Sequence, residues 1–172
     1  MSKKKIFIAV DTNSVSKAKK IIKETQTKKI KVGYKFGLEF FYSKDGRKFI
    51  SSLKNQTIFL DLKLNDIPNT IKSAIKSLKG LKISYLTVHL SSGLSALKAL
   101  KKESKNIRIA GVTTLTSLNN KDLKEIGYNK KVNELVKHQA KLATKAKLDA
   151  IVCSGHEIRS VRRVFKKEII TP

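Results

Sequence analysis

The chain has 172 residues, with 38 Lys and Arg against 13 Asp and Glu, a formal net charge of +25. A hydrophobic content of 40 % excludes a disordered tail, and the length fits one domain with a sizeable core. The apolar runs fall far short of the roughly 20 residues a membrane span needs, and one cysteine, Cys153, excludes an internal disulfide framework.

Taken in chain order, Lys5–Val10 (KIFIAV) reads as a buried strand that stops at Asp11. The polar Asp11 and Thr12 cut this apolar stretch too short for a secretory leader, so a cytoplasmic protein is expected. Ser14 or Ser16 caps a helix whose apolar positions are Val15, Ala18, Ile21 and Ile22. Residues 30–36 form a second strand, and Phe49, Ile50 and Leu53 mark a second helix. Thr57–Leu62 is a third strand, followed by helical spacing at Ile71, Ile75 and Leu78. Ser84–His89 is a fourth strand, with Leu94, Leu97 and Leu100 on the next helix. Residues 107–112 are a fifth strand, and a longer excursion holds the helix Val132–Ala146. Residues 149–153, 158–165 and 168–171 supply a sixth strand, a helix and the opening of a seventh strand.

This alternation implies right-handed βαβ crossovers and a parallel sheet, in an open doubly wound sheet or a (β/α)8 barrel. The glycine fingerprint of a dinucleotide site is absent: the turn after the first strand is Asp11-Thr12-Asn13-Ser14. Polar residues gather at the C-terminal strand ends, where a barrel places its active site: Asp11, Lys35, Asp61, Lys63, His89, residues 113–117 and Ser154. Strand ends are polar in any protein, which accounts for Ser and Thr. It accounts less well for scarce Asp residues alternating there with Lys.

The charge first suggests a polyanionic partner. Against that, Arg, the better reader of phosphates and bases, occurs only at 47, 108, 159, 162 and 163, and the lysines are spread over the whole chain. The basic run 159–167 reads as a solvated helix face, and neither nucleic acid nor membrane is expected as a partner. His89, His138 and His156 are too scattered for a zinc pattern, and Cys153 ends an apolar strand as a buried, inert thiol.

The densest chemistry lies in Asp61-Leu62-Lys63-Leu64-Asn65-Asp66-Ile67-Pro68-Asn69-Thr70. Asp61 and Lys63 are two apart on a strand and so share a side, with Asp66 in the following turn. An ammonium held among carboxylates is an oriented proton donor; it is equally well a structural ion-pair network.

The pattern D-L-K-x-x-D-I-P-N-T resembles the signature of the orotidine 5′-phosphate decarboxylases. In the same order, IAVD at 8–11 resembles that family's first-strand motif and Lys35-Phe36-Gly37-Leu38-Glu39 its second. Val88-His89 with Gly93, Gly111–Ser117, Ile151–Ser154 and Thr171-Pro172 continue the likeness to the last residue. Lys31 also fits K-x-G, but Leu-Glu-Phe-Phe follows Lys35 in the family order; Asn65 stands where the family usually has His.

The resemblance implies a (β/α)8 TIM barrel and conversion of orotidine 5′-phosphate to uridine 5′-phosphate in pyrimidine biosynthesis, with no metal and no organic cofactor. By resemblance, Lys63 donates the proton to C6, Asp61 lies beside the departing carboxylate, and Lys35 and Asp66 complete an alternating Lys–Asp array. Asp11 and Lys35 hold ribose hydroxyls, Thr116 meets the pyrimidine, and Pro172 opens a substrate-binding loop. A homodimer is implied, with Asp66 and Thr70 reaching the partner's site.

A complete barrel has eight strands and about 250 residues, whereas about seven strands are expected here. The expectation is one barrel domain over 1–172, cut short after strand seven and before the phosphate-gripping segment, and poorly active in that form. Two other readings stand beside it. One is a sugar-phosphate decarboxylase or aldolase on the same barrel, which shares D-x-K-x-x-D but not the I-P-N-T continuation. The other is a catalytically silent, basic polyanion-binding protein.

Overall fold

The computed structural model describes residues 5–172; the first four residues of the expected domain lie outside them. Seven strands follow in the order β1 to β7, each beside its neighbours in sequence: β1 (Lys5–Ala9), β2 (Lys31–Gly37), β3 (Thr57–Leu64), β4 (Tyr85–His89), β5 (Arg108–Val112), β6 (Ala150–Val152) and β7 (Glu168–Ile170). The helices between them are α1 (Val15–Glu24), α2 (Leu38–Tyr42), α3 (Gly46–Ser52), α4 (Pro68–Ser77), α5 (Gly93–Glu103), α6 (Asn120–Glu125), α7 (Val132–Lys145) and α8 (Ile158–Val164). Strand, crossover and next parallel strand in sequence order is the topology of the (β/α)8 barrel, with seven of its eight strands among the described residues. No described helix is long and apolar enough to cross a membrane.

The chain divides into two compact units. The first comprises residues 1–62 and 78–86, described here from residue 5. In it β1, β2 and β3 are parallel, with Phe7, Gly33 and Thr57 in one row and Ala9, Lys35 and Phe59 in the next. Strand alternation sends Tyr34, Phe36, Ile58 and Leu60 to one face, and all four are fully buried. Phe36, Phe40 and Phe49 pack there at centroid distances of 4.9–6.4 Å. The opposite face carries Phe7, Gly33, Lys35, Phe59 and Asp61. Phe7 packs on Phe59 at 5.0 Å and edge-on to Tyr85 at 5.2 Å, which a Cβ on Gly33 would obstruct at 2.8 Å from the Phe7 ring. Ser14 is the cap of α1, accepting from the Lys17 N–H.

The second unit comprises residues 63–77 and 87–172. Here β5, β6 and β7 are parallel, with rows Ala110–Ala150–Glu168 and Val112–Val152–Ile170. Leu97, Leu100, Val136, Ala140, Ile151 and Val161 are fully buried. Gly111 lies under Leu90 and Leu148, whose methyl carbons would stand 2.5 and 2.9 Å from an added Cβ. Asp149 ties β5 to the residue before β6: its Oδ2 accepts the Ile109 N–H at 2.8 Å and pairs with Lys101 at 2.6 Å. Arg108 pairs with Glu168 at 2.8 Å, from the first residue of β5 to the first of β7.

Every expected strand and helix is present within one or two residues at each end. β3 differs by two residues, running to Leu64, and two short helices are added, α2 after β2 and α6 in the excursion after β5.

Candidate active site

In the first unit the site begins at the ends of β1, β2 and β3. The Val10 N–H donates to the Lys35 carbonyl at 2.8 Å, extending the β1–β2 ladder by one residue and fixing where Asp11 leaves it. Lys35 lies on the face of β2 opposite the apolar core, flanked along its strand by Gly33 and Gly37. Its Nζ is 3.7 Å from Asp11 Oδ1 and 3.7 Å from Asp61 Oδ2. The two carboxylates differ in setting: the Asp61 side chain is 12 % exposed, that of Asp11 70 %. Asp61 is the more buried anion beside Lys35, and Asp11 completes the triad from the solvent side. The alternative K-x-G lysine, Lys31, is exposed at the start of β2.

In the second unit Lys63 has a backbone φ of 46°, in the left-handed region, although it lies in a strand. The regular alternation that would put Asp61 and Lys63 on one side is therefore interrupted at Lys63 itself. Its N–H donates to Thr87 Oγ1 at 2.8 Å, and Thr87 is 1 % exposed. Ser92, in the short 3-10 turn after β4, donates to Asn65 Oδ1 at 2.9 Å, with the Leu64 carbonyl at 3.4 Å as a longer second acceptor. Asp66 is exposed in the turn before α4, where its Oδ1 accepts the Ile67 N–H at 2.7 Å. Thr70 is exposed in the first turn of α4.

Thr116 is exposed in the loop after β5. That loop is anchored at its root, because buried Gln139 on α7 accepts from the Thr114 N–H at 2.8 Å and from Thr114 Oγ1 at 3.2 Å. A cavity of about 130 Å³ opens beside it, lined by His89, Thr113, Leu115, Leu123, Ile126 and Tyr128 among others. Pro172 is exposed after β7. His138 is exposed on α7 and His156 in the turn after β6; among the described residues no three His, Cys, Asp or Glu side chains group as a metal site. Burial raises the Cys153 thiol to about 11, assisted by the Glu157 carboxylate and opposed by Arg162. Burial also raises Glu157, against the Ser154 N–H that bonds its carboxylate.

Thr87, Ser92 and Gln139 were not indicated by the motifs. The only trace of Thr87 in the sequence is a hydroxyl inside the apolar run Tyr85-Leu86-Thr87-Val88.

Known proteins match this chain over nearly its whole length. The profile described as the orotidine 5′-phosphate decarboxylase / HUMPS family matches residues 4–172. The orotidine 5′-phosphate decarboxylase of Carboxydothermus hydrogenoformans is 36 % identical over 177 residues, covering 97 % of this chain and 72 % of that protein. That of Wolbachia pipientis subsp. Culex pipiens is 40 % identical over 174 residues, covering 97 % and 75 %. The chain thus spans about three quarters of the length of these relatives. Among solved structures, the orotidine 5′-phosphate decarboxylase of Lactobacillus acidophilus superposes with a TM-score of 0.85 at 28 % identity, over 96 % of this chain and 78 % of that one. A Methanocaldococcus jannaschii structure, complexed with the inhibitor BMP, shares the fold with a TM-score of 0.81 at 22 % identity, over 99 % of this chain and 78 % of that one. On the profile match and the identity to these relatives, the chain belongs to the orotidine 5′-phosphate decarboxylase / HUMPS family.

Proposed function

We propose that the protein decarboxylates orotidine 5′-phosphate to uridine 5′-phosphate, with Lys63 as the proton donor. The C6–carboxylate bond breaks and releases CO₂, and its electron pair stays on C6. The Lys63 ammonium delivers a proton to C6, and the resulting amine takes one back from water. An sp² carbanion with no electron sink needs a fixed positive field, and fixed electrostatics are the largest contribution such a site offers. Asp61 faces the departing carboxylate, Asp11 and Lys35 hold the ribose hydroxyls, and Thr116 and Pro172 lie on substrate-binding loops.

The observation that carries this reading is the Asp11–Lys35–Asp61 triad, with its ammonium 3.7 Å from each carboxylate, at the end of the strand that also bears Lys63. The intact I-P-N-T continuation favours it over a sugar-phosphate substrate. Release of CO₂ from orotidine 5′-phosphate, followed by uridine 5′-phosphate formation, tests the reading. Lys63→Ala is expected to abolish both, and undiminished turnover in that variant rejects Lys63 as donor.

The same reading takes residues 1–172 as one barrel domain of a cytoplasmic enzyme that works as a homodimer, with Asp66 and Thr70 of each subunit serving the partner's site. Ile67, 66 % exposed, lies beside exposed Asp66 in the turn that this reading places at the contact.

A further inference from the structure

We infer that Thr87 is a positioning residue for Lys63: its hydroxyl holds the lysine backbone in the left-handed conformation from which the side chain leaves the strand. The inference rests on the reading of Lys63 as the proton donor. A non-glycine residue at φ 46° carries a backbone cost of order 1–3 kcal/mol, and such residues persist where surrounding structure holds them. Lys147 shares the left-handed conformation, but it follows a helix end, where the Lys147 and Leu148 N–H groups close on the Thr144 and Ala143 carbonyls. Lys63 has no helix end to account for its backbone. It has Thr87, 24 residues away in sequence, whose Oγ1 accepts the Lys63 N–H at 2.8 Å.

Three properties suit Thr87 to this task. It is 1 % exposed, so water does not compete for the bond. It is β-branched and seated in a strand, so its rotamer is restricted. Its neighbours Leu86 and Val88 are fully buried, so its Cα is fixed by packing. Ser92 holds the next two residues through Asn65 Oδ1 and the Leu64 carbonyl, so the turn is tied at consecutive points. Loss of the Thr87 acceptor removes one restraint on the positive φ of Lys63, and a return to negative φ moves its Cβ to a different side of the strand. Displacing a reacting group by about 1 Å is enough to cost about 10²-fold in rate.

The test compares Thr87→Val, which keeps the shape and removes the acceptor, with Thr87→Ser, which keeps the acceptor. In Thr87→Val, the Lys63 amide is expected to exchange with solvent deuterium about tenfold faster by NMR. Its kcat is expected to fall about 10²-fold with KM for orotidine 5′-phosphate within about threefold of wild type. Thr87→Ser is expected to restore both. A structural role alone predicts equal losses in the two variants or a change confined to Tm, and that result overturns the inference. So does an unchanged Lys63 amide in Thr87→Val. If Lys63→Ala retains turnover while the amide results for Thr87→Val and Thr87→Ser hold, the donor assignment fails and the backbone role of Thr87 stands.

Discussion

Lys35 Nζ lies 3.7 Å from Asp61 Oδ2, and the Asp61 side chain is the more buried of the pair. A buried carboxylate needs this cation more than the cation needs either carboxylate. Lys35→Met is therefore expected to lower stability by about 3 kcal/mol in urea titration, since it removes a cation from beside a buried carboxylate. Asp11→Ala, which removes an exposed partner, should cost under about 1 kcal/mol. Lys35→Met combined with Asp61→Asn should recover most of the loss. Equal costs for the Asp11 and Lys35 variants would contradict the asymmetry.

The exposed Ile67 yields a prediction about assembly. Ile67→Asp puts a charge into the proposed contact and is expected to shift sedimentation from dimer to monomer. On the roles proposed for Asp66 and Thr70, activity should fall with it. A dimer that survives Ile67→Asp would move the interface elsewhere.

Cys153 should be unreactive in the folded protein. Its thiol, raised to about 11, stays protonated at pH 8 and is buried, so Ellman's reagent should label it only after denaturation. A folded-state value above the ordinary 9.0 means this group's contribution to stability is complete below pH 9. That contribution disappears as pH rises through about 11. Glu157→Gln removes a neighbouring anion and should lower the thiol's value, read by the thiolate absorbance against pH.

Gly111 offers a test of packing alone. An added methyl would stand 2.5 Å from a Leu90 carbon and 2.9 Å from one of Leu148. Gly111→Ala should cost about 1–3 kcal/mol, measurable as a lowered urea midpoint.

The fold was legible because parallel strands buried on both faces are uninterrupted apolar runs, and the intervening helices carry one apolar stripe each. The helix α2 escaped because Leu38-Glu39-Phe40-Phe41-Tyr42 is too short for periodicity to show. The triad of Asp11, Lys35 and Asp61 was readable as strand-end residues, each in its own motif. The backbone of Lys63 was not readable. Nothing in Leu62-Lys63-Leu64 announces a positive φ, because the cause lies in a hydroxyl on another strand. Gln139 was hidden for a related reason: its partner is the main chain of Thr114, and main-chain partners leave no mark in a sequence.

The two glycines flanking Lys35 are not alike. A side chain at Gly33 would collide with Phe7, whereas a Cβ at Gly37 would meet nothing within 4 Å. Position 37 thus has open space for a Cβ, two residues along the strand from Lys35. A Cβ is admitted there at little structural expense, while at position 33 it would press on the Phe7 ring and the Thr57 carbonyl.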